Sequence, residues 1–270
     1  KTQEPEQAIA LLDTYIEQEP ENFELRFAKV QLQLAGDNTD AALVELKEIV
    51  ALDPEGNSGR KAQVTLAGFE LQQGEIESAQ TKLTQVLAAA PEDGGALLLQ
   101  ARVDLIKKDV DSAVTNLRVV LRNNPESDQA MVLLAQAYMN SGSAELAEDN
   151  FRQALAVNPG NTIAALSVAN SLMRTNDLDR TEEVLTKALQ LAANKEPLLQ
   201  ALAQVKLLQK DWQGTESVVD TLRVDKQDTA LTHFLSGRIA QGQERYDAAI
   251  EAYKAALALQ PNMPRALQGL

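Results

Sequence analysis

The 270-residue chain has no cysteine, one histidine, one tryptophan and an aromatic content of 4%. Without thiols it forms no disulfide and offers no thiolate to a metal, and the redox compartment is left open. The lone His233 has no serine, cysteine or carboxylate at a repeated spacing to partner it, so its expected role is packing rather than catalysis. Phosphate-cradling glycine loops, zinc-ligand spacings and nucleophile elbows are absent too. Neither an enzyme activity nor a cofactor or metal is therefore expected. No apolar run approaches the ~18 residues needed to span a bilayer. Cations are scarce relative to anions: 25 Lys and Arg against 39 Asp and Glu give a net charge of −14. Such a surface repels phosphate backbones, which excludes nucleic acid from the expected partners. So few aromatics would fill a central core poorly, whereas the abundant Ala, Leu, Gln and Glu suit thin seams between helices.

What is present is a repeat. In the stretch 128–161, Met131, Leu134, Ala135 and Tyr138 fall on one face of a 3.6-residue period, and Ala147, Phe151 and Ala154 do so again after Ser141-Gly142-Ser143. Two amphipathic helices thus meet across a short turn, and Asn158-Pro159 ends the second. Pro91, Pro125 and Pro159 stand 34 residues apart, and Pro261 lies three such periods after Pro159. A small residue recurs as Ala67, Ala101, Ala135, Ala169, Ala203 and Gly237. A second small column runs Ala79, Ala113, Ala147, Thr181, Thr215 and Ala249, and a large one Leu83, Leu117, Phe151, Leu185, Val219 and Tyr253. Small opposite large is what close packing of a helical hairpin requires. A hairpin that cannot bury its stripe alone needs another on each side, and a fixed period of this length means an array.

The pattern Leu134, Ala135, Tyr138, Ala147, Phe151, Ala154 and Pro159 resembles the tetratricopeptide repeat. The resemblance implies an all-α, right-handed superhelical solenoid of antiparallel helix pairs and covers essentially the whole chain. Departures are Glu70, Asp104 and Lys206 at the Tyr138 position, and Ala193 and Gln227 in place of the terminal proline. We expect one solenoid over 1–270: an orphan helix at 1–20, hairpins at about 21–54, 55–91, 92–125, 126–159, 160–193, 194–227 and 228–261, and a partial helix at 262–270. From a start inside a second helix and an end inside a first one, we expect it to be part of a longer array.

Several local readings follow. Ala8, Leu12 and Tyr15 are expected on the packing face of the orphan helix. In the first hairpin Ala28 is read as the small contact residue, with a turn at 36–40 about two residues longer than its counterparts. The Pro54–Pro91 spacing is three residues too long, and the surplus is assigned to Glu55-Gly56-Asn57-Ser58-Gly59, a surface insertion or a hinge. Ile76, Val110, Ala144, Leu178, Trp212 and Tyr246 are read as plugs closing the hairpin ends. Acids at Glu182-Glu183, Asp109 and Asp111 are assigned to solvated helix starts, where they complement the helix dipole.

The resemblance also implies a groove lined by the first helices, with the residue after the small column at its middle: Lys29, Gly68, Arg102, Gln136, Asn170, Gln204 and Arg238. Flanking columns bring Leu166 and Phe234, then Met139 and Met173, and no acid stands in any of them. We therefore expect a peptide-binding groove of Lys29, Arg102, Gln136, Met139, Leu166, Asn170, Met173, Gln204, Phe234 and Arg238. Amides would pair with a backbone and cations with acidic side chains or a C-terminal carboxylate. The expected function is a protein-interaction scaffold or adaptor whose partner is a protein or peptide. The alternatives are the recognition arm of a larger bacterial envelope or enzyme assembly and a structural spacer. End-to-end self-association through the terminal seams is a further expectation. The turn patterns resemble those of long bacterial arrays, which leans the localisation toward the cell envelope.

Overall fold

A computed structural model describes residues 3–224 and 228–270. Every regular element among them is helical. The order is α1 (Gln3–Gln18), α2 (Phe23–Ala35), α3 (Thr39–Leu52), α4 (Asn57–Gln73), α5 (Ile76–Ala89), α6 (Gly94–Ile106), α7 (Val110–Asn123) and α8 (Asp128–Asn140). There follow α9 (Ala144–Val157), α10 (Thr162–Arg174), α11 (Leu178–Leu191), α12 (Glu196–Leu208), α13 (Trp212–Val224), α14 (Ala230–Gly242), α15 (Tyr246–Leu259) and α16 (Pro264–Gly269). The expected all-α class of paired helices is what is observed. By compactness the chain divides into units 1–125 and 126–270.

Helix starts are fixed by side chains that accept from otherwise unpaired backbone N–H groups. Asp93 accepts from Ala96 N, Asp109 from Ser112 N, Ser127 from Ala130 N and Asn161 from Ala164 N. Asp109 is thus a cap, and its hydrogen bonds from Ser112 hold its carboxyl below the usual range. Second helices stop at the residue before proline, where Ala90, Asn124, Asn158 and Gln260 have left helical geometry. At α11 the backbone turns extended at Ala192 with alanine, not proline, next. Gln227 lies outside the described residues.

The turn inside each hairpin carries one residue in the left-handed region: Asp37, Gly74, Lys108, Gly142, Asn176, Lys210 and Glu244. The next N–H reaches back five residues in every case, from Asn38 to Gln33 O at 2.8 Å, from Glu75 to Glu70 O at 2.8 Å and from Asp109 to Asp104 O at 2.8 Å. These bonds satisfy the last carbonyls of the first helix. The turn at Asp37 is therefore the same turn as the others, not a longer one. It also resets the register of the first hairpin. Because Asp37 and Gly74 correspond, Ala67 corresponds to Val30, which is 3% exposed, and Gly68 to Gln31. Neither Ala28 nor Lys29 holds the position first assigned to it. On α1, Ile16 is buried while Tyr15 is 50% exposed, so the packing face lies one residue on from Tyr15.

The seams follow the columns. Ala67, Ala101, Ala135, Ala169 and Ala203 are fully buried, and so are Leu83, Leu117, Leu185 and Tyr253 opposite them. Gly237 stands where the partner is largest: a Cβ there would lie 2.5 Å from the Tyr253 ring. The two threonines of the second small column are buried with their hydroxyls satisfied, Thr181 donating to Asp177 O at 2.7 Å and Thr215 to Asp211 O at 2.8 Å.

The polar departures at the Tyr138 position each find a partner across a seam. Lys82 donates to Glu70 at 2.6 Å, and Asn116 donates to Asp104 at 2.9 Å, which also accepts from Gln100 on its own helix at 2.7 Å. Lys206 bridges Glu182 at 2.6 Å and Asp211 at 2.9 Å. The glycine-rich stretch runs into the first turn of α4 and is packed rather than loose. Asp53 accepts from Ser58 N and Gly59 N at 2.9 and 3.1 Å, and a Cβ on Gly59 would lie 1.7 Å from Asp53 O. Of the turn plugs, Trp212 packs its ring on Gly242, but Ala144 and Tyr246 are exposed, Tyr246 by 62%.

Candidate functional site

In the unit 126–270, three consecutive first helices, α8, α10 and α12, bring Met139, Asn170, Met173 and Gln204 to one cleft of about 620 Å³. Each of the four was expected in a groove. Asn170 and Gln204 are 34 residues apart in the same column and both are exposed, so their amides are open to a ligand backbone. Met139 is 60% exposed and Met173 half-buried, which leaves flexible thioethers at the surface. Leu208, 55% exposed, completes the apolar wall.

Part of the lining was missed. Arg174 and Leu208 stand four residues after Asn170 and Gln204, hence one helical turn along the same face. The first turns of α9 add Ala144, Ala147, Glu148 and Phe151. The small Ala147 column was the signal available for this: where the second helix begins with small residues it leaves space beside the first. Glu148 makes the cleft less free of acid than the first-helix columns alone indicate.

Glu148 is fully engaged. One carboxylate oxygen accepts from Ser171 Oγ at 2.6 Å, and the other accepts from Arg152 Nη2 at 2.6 Å and Nε at 3.1 Å. The Ser171 bond first, then Arg152, with the nearby Arg174 charge adding to them, hold its carboxyl below the usual glutamate range. With Glu148 and Arg174 in one lining, this cleft carries little net charge.

The remaining expected residues lie elsewhere. Gln136 and Leu166 are half-buried on α8 and α10 and do not line the cleft. Arg102 is exposed on α6, in the other unit. Arg238 is exposed on α14, and its charge acts on Tyr253, whose phenol burial pushes up. Two assignments are corrected. Phe234 is 5% exposed, in the core, with its ring 6.0 Å from that of Tyr253, so it is no surface acceptor. Lys29 is half-buried in a charge network: its ammonium bridges Asp13 at 2.8 Å and Glu45 at 2.7 Å, and Glu45 also pairs with Arg26. His233 is half-buried on α14.

Family models described as tetratricopeptide repeat match residues 1–63, then 70–128, 98–149 and 132–196, then 230–263. The chain belongs to the tetratricopeptide repeat family. No curated protein matches it. Among solved structures, pilF of Pseudomonas aeruginosa is 18% identical with a TM-score of 0.64, over 77% of this chain and 95% of that one. YrrB, described as a TPR protein with an unusual peptide-binding site, is 16% identical with a TM-score of 0.56, over 69% of this chain and 96% of that one. A human IFIT1 dimer with m7Gppp-AAAA is 18% identical with a TM-score of 0.60, over 94% of this chain and 68% of that one. These likenesses concern the fold. As a tetratricopeptide repeat protein the chain is a protein-interaction scaffold in kind, and among the described residues no helix is long and apolar enough to cross a membrane.

Proposed function

We propose that the first-helix face of the 126–270 unit binds an extended segment of a partner protein. An apolar side chain would sit between Met139, Met173 and Leu208, and the amides of Asn170 and Gln204 would pair with its backbone. The observation carrying this reading is the cleft itself, which gathers two outward amides and three apolar side chains from consecutive first helices. Extended peptides are recognised in this way, main-chain pairing giving affinity and a side-chain pocket giving selectivity. YrrB, described as having an unusual peptide-binding site, lends the reading support by likeness of fold. Capped RNA, as in the IFIT1 complex, suits this chain poorly at a net charge of −14.

The acidic or C-terminal peptide expected from Lys29, Arg102 and Arg238 has less to support it here. Lys29 is already bridged by two carboxylates, neither arginine lines the cleft, and Arg174 is offset by Glu148. The occupant is instead a neutral segment with a large apolar side chain. Peptides selected from a random library on the intact chain test this. Against the Asn170→Ala, Gln204→Ala double variant their binding should weaken by about 1 to 3 kcal/mol, as expected for two lost hydrogen bonds, with an unchanged circular dichroism spectrum. Selected peptides that bind the double variant as tightly as the parent would remove the basis for the proposal.

A further inference from the structure

A second cleft, of about 390 Å³, opens in the same unit on the side of the second helices, between α9 and α11. Its floor is apolar, with Leu155 and Val184 half-buried against the core. Its rim holds Arg152, Arg180 and Lys187 against one acid, Glu183. In a chain where acids outnumber bases 39 to 25, three cations among four charges in one small cleft reverse the sign of the surroundings. Two of the cations are only lightly committed. Arg180 reaches Asp177 at 3.7 Å with its side chain 70% exposed, and Lys187 is exposed and unpaired among the described residues. Arg152 is held to Glu148 by two hydrogen bonds, at 2.6 and 3.1 Å, so the uncommitted charge of the rim is that of Arg180 and Lys187.

We infer that this cleft is a second docking surface and that its occupant is a partner-protein segment in which large apolar side chains alternate with carboxylates. The apolar floor takes the former, and the guanidiniums, whose planar forks match carboxylate geometry, take the latter. A negative exterior around a positive cleft steers such a segment away from the rest of the surface and into this place. A nucleic acid fits less well, because the floor offers leucine and valine rather than aromatic rings on which bases stack. The inference stands independently of the first-helix cleft.

The test uses the intact chain and a short fluorescent peptide of leucines among glutamates, with two controls: lysines replacing the glutamates, and serines replacing the leucines. Anisotropy should show the acidic leucine peptide binding more tightly than either control and weakening as salt is added. Arg180→Glu with Lys187→Glu should lower its affinity roughly tenfold or more, while the same charge change at the exposed Lys47 and Lys108 of the other unit, Lys47→Glu with Lys108→Glu, leaves it unchanged. Should the glutamate pair perturb the circular dichroism spectrum, the milder Arg180→Gln with Lys187→Gln replaces it, with a smaller loss in the same direction expected. The inference fails if either control peptide binds equally well, if neither charge variant weakens binding, or if a short oligothymidylate displaces the peptide.

Discussion

Asp104 occupies a position that is aromatic in the reference hairpin, and its carboxylate is 7% exposed. Burial, the largest influence, holds its carboxyl above the usual aspartate range; the amide donors Gln100 and Asn116 and the Lys107 charge oppose this, and Asp109 adds to it. A carboxyl whose pKa is raised by folding binds more protons in the native state than in the unfolded one. Its contribution therefore favours the fold at low pH and is lost as pH rises through the folded-state pKa. Asp104→Asn removes the titration, though it also replaces one of the two accepting oxygens by a donor. The stability of the variant relative to the parent should therefore rise as pH increases from about 4 to 7, whatever the offset between them, as read from denaturant melts across that range. A difference that is independent of pH, or that falls with rising pH, would show that burial does not dominate at this carboxyl.

At the scale of the element, the hairpin turn is the unit of register. Five of its seven left-handed positions are filled by Asp37, Lys108, Asn176, Lys210 and Glu244 rather than glycine. A side chain there costs roughly 1 to 2 kcal/mol of backbone energy, part of which glycine returns as unfolded-state entropy. Lys210→Gly should thus raise stability by up to about 1 kcal/mol, and Gly142→Ala should lower it. Thermal melts of the two variants check the opposed signs. These turns explain how much could be read beforehand. Hairpins, seams and period were legible because each rests on a column of side-chain sizes that a 34-residue shift exposes. The first hairpin was misread by two residues because Lys29 is polar at a seam and its partners, Asp13 and Glu45, are distant in sequence. The left-handed column was invisible, since lysine and glutamate do not announce a positive φ.

At the scale of the whole chain, contacts inside each unit run between neighbouring hairpins, so a functional face is assembled from side chains one period apart. That is why Asn170 and Gln204 could be placed together from spacing alone, with Met139 and Met173. Glu148 and Leu208 could not: the first comes from the adjoining second helix, and the second from the turn beyond the ladder. Phe234 failed for a different reason. A column fixes a direction, but the Tyr253 ring opposite Gly237 draws the neighbouring Phe234 ring into the core.

The constancy of the hairpin turn has a further consequence, for surgery on the gene. Excising residues 144–177 would splice Ser143 directly to Leu178, leaving Gly142 to turn the chain and α11 to inherit the place of α9. Ala135 would then face Leu185 in place of Phe151, a swap of one seam for another of the same kind. Both clefts would vanish together, since α9 and α10 contribute to each. A stacked array loses stability in increments and not all at once when a middle unit is removed. The shortened protein should remain helical and melt cooperatively at a lower temperature, whereas removal of residues 144–160, which would place α10 where α9 turns back, should abolish the transition in the same melting experiment.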